Sequence, residues 1–184
     1  PGRPSALQRR TRWVIHRFFR AMVWFLAGAG LFEVRAQGLP ERKALDGTLI
    51  LATHPGYLDV VLLLSLLEQL TCVVKIGIWT NPLFGRVVRA AGYLPALGPD
   101  SVIESGALAL ERGEALLLFP EGTRTDPHQP HAFHRGAAHL MLRCRPPVLP
   151  LLLTCTPPLL AKGHRWFEIP LDSCDYCIRA TEQL

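Results

Sequence analysis

Apolar residues recur along the chain in two rhythms. Short continuous runs at residues 48–52, 72–78, 93–97, 115–119 and 148–153 read as strands buried on both faces. Between them lie stretches with helical spacing. These cover residues 59–70, a segment opened by Pro82 and closed before Gly92, residues 100–112 with Asp100 as N-cap and Gly113 as stop, and residues 133–144. Strands that alternate with helices predict an α/β fold, a single domain with a largely parallel mixed sheet flanked by helices. A loop rich in Gly, Pro and His over 122–131 separates two of these elements, and no repeat or long linker interrupts the series.

Composition sets the scale of that domain. The 184 residues are 49% hydrophobic and 19% charged, which excludes a chain disordered throughout. A domain of this size buries about 70% of the surface its unfolded chain exposes, so its core needs neither a disulfide nor a zinc staple. The five cysteines, at 72, 144, 155, 174 and 177, are odd in number and scattered, which predicts reduced thiols in a cytosolic compartment.

The net charge of +5 changes meaning once it is divided along the chain. Residues 1–35 carry seven arginines against Glu33, and the remainder holds 13 basic and 14 acidic residues. With all the excess at one end, the body of the chain carries no nucleic-acid footprint. The basic end also holds Trp13, Val14, Ile15, Phe18, Phe19, Met22, Val23, Trp24, Phe25 and Leu26, an apolar series at helical spacing. Its uncharged run, residues 21–32, is shorter than the roughly 20 residues a spanning helix needs. Residues 1–30 therefore read as an amphipathic segment lying on a membrane surface, arginines at anionic headgroups and aromatics at the acyl boundary. A helix packed on the domain with its arginines in water is the alternative. Together with the reduced thiols, the first reading places the protein at the cytoplasmic face of a membrane. A cleaved signal peptide is disfavoured, because the apolar run ends at Glu33 and Arg35 without a small-residue cleavage pattern.

Two constellations stand where an apolar strand ends, the place where open α/β sheets bind ligands. The first is Thr53-His54-Pro55-Gly56-Tyr57-Leu58-Asp59. A Pro-Gly turn can fold Asp59 back onto one imidazole nitrogen of His54, which fixes the tautomer and makes the other nitrogen a better base. Spacing alone also allows Asp59 to be a helix cap. The second is Phe119-Pro120-Glu121-Gly122-Thr123-Arg124. Its Gly permits close backbone approach, its Thr offers a hydroxyl and its Arg a planar fork for phosphate oxygens; a turn with a solvated Glu and Arg is equally compatible.

In this order and about 65 residues apart, the two motifs resemble the glycerolipid acyltransferase family, whose members acylate 1-acylglycerol-3-phosphate and related lysolipids. The resemblance extends to Asn81-Pro82-Leu83-Phe84-Gly85, Ala91-Gly92-Tyr93-Leu94-Pro95, Phe133-His134-Arg135-Gly136-Ala137-Ala138 and Val148-Leu149-Pro150, and covers roughly residues 31–170, leaving 31–184 as the acyltransferase domain. It implies His54 as general base, Asp59 as its orienting partner, and Glu121, Gly122, Thr123 and Arg124 as the pocket for the acceptor phosphate. It also implies acyl-CoA or acyl carrier protein as acyl donor, a lysolipid as acceptor, and no bound cofactor or metal. Three departures qualify the match. Thr53 stands where the family commonly has Asn, Gly56 where it has Ser, and the segment after Gly92 lacks the family's usual Arg. That last gap leaves room for a non-phosphate acceptor such as a lyso-ornithine or polyene lipid, with Arg86 or Arg89 as substitute cations. A catalytically impaired lipid-binding member of the fold and a thioester hydrolase are the rival readings.

Other signals are weaker. His128, His131, His134 and His139 recur closely, but Pro127 and Pro130 disturb any regular ligand array. Cys174 and Cys177 have redox spacing but lie outside any strand-to-helix junction, so that stretch reads as a tail. Lys75 is either a cation at the edge of the site or a solvated strand end.

Overall fold

The structure, a computed structural model, describes residues 2–125, 133–160 and 173–181. Among these residues, seven strands form one sheet in the order β1-β7-β6-β2-β5-β3-β4. They are β1 (Phe32–Gln37), β2 (Leu49–Ala52), β3 (Leu70–Lys75), β4 (Leu94–Ala96), β5 (Ala115–Leu118), β6 (Val148–Thr156) and β7 (Cys174–Ala180). Every neighbouring pair is parallel except β6 with β7. In β2, Ile50 and Ala52 enter one core and Leu49 the other; in β5, Ala115 and Leu117 divide from Leu116 in the same way. Burial on both faces is why these strands read as unbroken apolar runs.

Helices α1 (Ala6–Gly28) and α2 (Asp59–Leu66) cover the first face, and α5 (Pro99–Glu111) and α6 (Gly136–Cys144) the second. Two short helices, α3 (Ile76–Trp79) and α4 (Gly85–Ala90), follow β3. The predicted α/β fold, with its largely parallel mixed sheet and flanking helices, is the observed one, but several boundaries move. Strand β3 pairs with β4 only as far as Lys75 opposite Ala96; beyond that the chain has no strand partner and closes into α3, so residues 76–78 are not extended. Helix α2 ends at Leu66, and Gln69 turns the chain with φ 67° directly before β3. Pro82 does not open α4; the Asn81 side chain accepts from the Leu83 and Phe84 amides and turns the chain into a helix that starts at Gly85. Gly98 rather than Asp100 is the N-cap of α5, with Pro99 in its first turn. Strand β1 carries no prediction from the sequence, and the stretch around Cys174 and Cys177 is not a tail but strand β7, held between β1 and β6.

Helix α1 starts with a capping box, Ser5 accepting from the Gln8 amide while the Gln8 side chain accepts from the Ser5 amide. One side packs on the domain through Ile15, Phe19, Val23 and Leu26. Arg12 goes further inward. Its Nη2 lies 2.6 Å from Glu114 Oε2, its Nε donates to the Ala91 carbonyl at 2.7 Å, and Thr71 donates to the same Glu114 oxygen at 2.6 Å. His16 Nδ1 lies 2.9 Å from the Leu64 carbonyl. These residues are therefore not the solvated face of a surface helix. The outer side is different in kind: Leu7, Val14, Phe18 and Phe25, spaced 7, 4 and 7 apart, are all exposed, as are Trp13 and Trp24. No helix of the described residues is long and apolar enough to cross a membrane.

Candidate active site

Strands β2 and β5 are parallel neighbours, Leu51 opposite Leu118, so the loops that leave their carboxyl ends emerge side by side. His54 lies two residues past β2 and Glu121 three past β5. The loops are stitched directly: the His54 amide donates to Glu121 Oε1 at 3.2 Å, and the Thr125 amide donates to the His54 carbonyl at 2.7 Å. Thr53 anchors the first loop from its other side, donating to the Leu153 carbonyl at 3.1 Å and accepting from the Leu153 amide at 2.8 Å. Thr53 thus ties its loop to β6 as a polar side chain should.

Within the loop, Pro55 and Gly56 fold the chain so that Asp59, first residue of α2, meets His54. Asp59 Oδ2 lies 2.8 Å from His54 Nδ1 and accepts from the Gly56 amide at 2.7 Å. The carboxylate is fully buried, whereas the imidazole keeps 17% of its surface exposed. Asp59 does not cap its own helix; Leu58 is the N-cap residue. The Phe119 ring stacks on the imidazole with centroids 4.3 Å apart and planes inclined by 27°. With Nδ1 committed to Asp59, Nε2 has no hydrogen-bond partner among the described residues. A ring held by a carboxylate on one nitrogen and open on the other is arranged to take a proton. Burial pushes the Asp59 carboxyl above the usual carboxylate range, while the hydrogen bonds from His54 and Gly56 pull it down.

The second motif is placed less uniformly. Glu121 is buried, its carboxylate turned toward the His54 backbone. Gly122, at φ 63°, lies so close to His134 that a Cβ would come within 2.7 Å of the ring; only glycine accepts both constraints. Thr123 is exposed, and no described contact joins it to His54. Arg124 donates to the Leu160 carbonyl at 3.0 Å and lies over the Tyr57 ring at 3.7 Å, a cation–π contact. Tyr57 is three residues from His54, so the guanidinium and the imidazole belong to one neighbourhood. Tyr57, the stacked Phe119 and the Leu160 carbonyl have no spacing signal in the sequence, because each meets its partner across loops of different strands.

The remaining candidates lie apart. His128 and His131 fall outside the described residues; His134 packs on Gly122, and no cluster of three metal-ligating side chains occurs among the described residues. Lys75 is an exposed strand end. Arg89 donates to the Trp79 carbonyl at 2.7 Å, tying α4 to α3. Cys174 and Cys177, three apart on β7, point to opposite faces of the sheet and cannot form a redox pair. A cleft of about 790 Å³ lined by Arg3, Arg9, Arg112 and Ala115 opens at the other end of β5, away from His54.

A family model described as Acyltransferase matches residues 33–154. The chain belongs to the Acyltransferase family. The match begins in β1, ends in β6 and contains both motifs, so β7 lies beyond it. Among curated relatives, the 1-acyl-sn-glycerol-3-phosphate acyltransferase of Pseudomonas aeruginosa is 29% identical over 151 residues, 77% of this chain and 57% of its own length. The lyso-ornithine lipid O-acyltransferase of the same organism is 34% identical over 131 residues, 69% of this chain and 46% of its own. The chloroplastic 1-acyl-sn-glycerol-3-phosphate acyltransferase BAT2 of Brassica napus is 26% identical over 160 residues, 84% of this chain and 46% of its own. The chain spans about half the length of the curated relatives it matches. Among solved structures, the acyltransferase PlsC of Thermotoga maritima has the same fold, with a TM-score of 0.73 at 21% identity over 94% of this chain and 68% of that one.

Proposed function

We propose that the chain is an O-acyltransferase that moves a fatty acyl group from acyl-CoA or acyl carrier protein to the hydroxyl of a lysophospholipid-like acceptor of the 1-acylglycerol-3-phosphate type. The observation that carries this reading is the 2.8 Å hydrogen bond between His54 Nδ1 and the fully buried Asp59 carboxylate. In this reading Nε2 of His54 takes the proton of the acceptor hydroxyl as its oxygen attacks the thioester carbonyl carbon. The carbonyl electron pair moves onto oxygen; the tetrahedral oxyanion then collapses, the C–S bond breaks, and the thiolate leaves and is protonated by the imidazolium. A general base of this kind contributes about 10²- to 10⁴-fold, and positioning supplies much of the rest. Arg124, Thr123 and Gly122 face the acceptor head, while Glu121 holds the loop that carries His54.

The acceptor head group has two candidates. Arg124 is a bidentate-capable cation suited to phosphate, yet it is shared with Leu160 and Tyr57, and a relative at 34% identity is named a lyso-ornithine lipid O-acyltransferase. The membrane surface is the further partner: residues 1–30 lie on anionic lipid at its cytoplasmic face, supported by the exposed aromatics and arginines of α1. The test is mass spectrometry of lipids formed by the purified chain from labelled acyl-CoA or acyl carrier protein with 1-acylglycerol-3-phosphate and lyso-ornithine lipid as acceptors. One diacylated product is expected, and His54→Ala should lower its rate at least about 10²-fold with unchanged circular dichroism. Near-wild-type turnover by the variant removes His54 from the chemistry.

A further inference from the structure

The hydrogen bonds of the His54–Asp59 pair use only one side of the carboxylate. Oδ2 takes both donors, whereas Oδ1, equally buried, has no partner among the described residues. A second orphan lies nearby. Tyr176, in the middle of β7 and fully buried, packs edge-on against Phe32 with ring centroids 5.8 Å apart, and its buried hydroxyl, beside Cys155, has no hydrogen-bond partner among the described residues. Both orphans converge on one point beside Gly56. A Cβ there would lie 3.0 Å from the Tyr176 hydroxyl, 3.7 Å from Asp59 Oδ1 and 2.7 Å from the Leu159 carbonyl. Residue 56 therefore has no room for a side chain, and its lack of one is what lets the phenol reach the back of the pair.

The chemistry of the two orphans is complementary. An ionised carboxylate only accepts, and a phenol can donate. Burial above all, and then the neighbouring Cys155 and Asp59, push the Tyr176 phenol far above its ordinary range, so it stays protonated. We propose that Tyr176 is a positioning residue for the His54–Asp59 pair, its hydroxyl reaching Asp59 Oδ1 through one water that donates to the carboxylate and that the Leu159 carbonyl also meets. With donors on both oxygens the carboxylate plane is fixed, and with it the imidazole. The groups that face Asp59 are then His54 and the Gly56 amide on one side, Tyr176 and Cys155 on another, and Glu121 from the β5 loop. Of these, Glu121 opposes ionisation of Asp59, while His54 and Gly56 favour it; a water donor held by Tyr176 adds to the favourable side.

This inference rests on the reading of His54 and Asp59 as the catalytic pair, and the experiment separates the two. In the full chain, Tyr176→Phe keeps the ring against Phe32 and removes only the hydroxyl. The expected result is a kcat about tenfold lower, as for loss of one hydrogen bond to a charged group, with KM for donor and acceptor unchanged. The acid limb of the pH–rate profile should move to higher pH, because an ionised Asp59 deprived of a donor is more easily protonated. In an Asp59→Asn background the same change should have no further effect on kcat, since Tyr176 acts through that carboxylate. An unchanged kcat and acid limb in Tyr176→Phe, or full additivity with Asp59→Asn, overturns the role of Tyr176. Retention of activity by His54→Ala overturns the catalytic reading beneath it instead.

Discussion

Asp59 shows how a single residue trades stability for function. Its carboxyl is raised above the unfolded value because burial outweighs the donors on Oδ2. Between the unfolded and the folded pKa, the native state therefore binds more proton than the unfolded chain, so stability falls as pH rises through that window and stays lower above it. Asp59→Asn removes that ionisation but keeps an oxygen to accept from His54 and Gly56. Its expected signature is a melting temperature equal to or above wild type at neutral pH, a difference that closes as the pH falls below the folded pKa of Asp59. Its kcat should drop about 10²- to 10⁴-fold, the scale of general-base assistance. Calorimetry and acyl transfer assays over the same pH series check both, and a neutral-pH destabilisation would show that the ionised carboxylate contributes net stability.

The same residue marks what was legible at this scale. His54 and Asp59 lie five apart across a Pro-Gly turn, so their contact is local and can be read from spacing. The bond from the His54 amide to Glu121 spans 67 positions and exists only because β2 and β5 are neighbours, which no local pattern states. Gly56 reads as a missing polar group until Tyr176 is found beside it, since the phenol arrives from a strand more than 100 residues later.

At the scale of elements, central strands announced themselves as apolar runs, whereas β1 and β7 did not. Strand β7 alternates, with Cys174, Tyr176 and Ile178 buried and Asp175 and Arg179 exposed, and it is extended because β1 and β6 flank it. A half-polar segment of that kind cannot be told from a tail without its partners. Helix α1 was legible as a helix, but not as one fastened through a buried ion pair. Arg12 and Glu114 lose nearly all hydration, and each is tolerable only because the other, Ala91 and Thr71 complete its hydrogen bonds. Glu114→Ala would strand the guanidinium beneath α1, and a loss of about 3–5 kcal/mol is expected by urea denaturation. The double variant Arg12→Met/Glu114→Leu should lose clearly less, because no charge remains buried. Equal losses in the two proteins would mean that the pair itself, rather than an uncompensated charge, holds α1 in place.

At the scale of the whole molecule, two exposed apolar regions stand out among the described residues. One is the outer side of α1, where Trp24 is 79% and Phe25 67% exposed, beside Arg10, Arg17 and Arg20. The other runs from the turn between α3 and α4 into α4, where Leu83, Phe84 and Val87 are exposed. The α1 surface pairs aromatics with cations, the combination that anionic lipid favours, each Arg near such a surface adding about 1 kcal/mol. Its inner side is held to the domain by Arg12 and His16, so the outer side can meet lipid while the helix stays folded in place. Substituting Trp24→Ser and Phe25→Ser together leaves those inner contacts intact and should leave the melting temperature unchanged. Sedimentation with vesicles containing anionic phospholipid should then show weaker binding than wild type, and added salt should weaken wild-type binding as it screens the arginines. Salt-insensitive binding that survives the double substitution would assign the lipid contact to Leu83 and Phe84 on the other exposed region, and α1 would then serve the domain through its inner side alone.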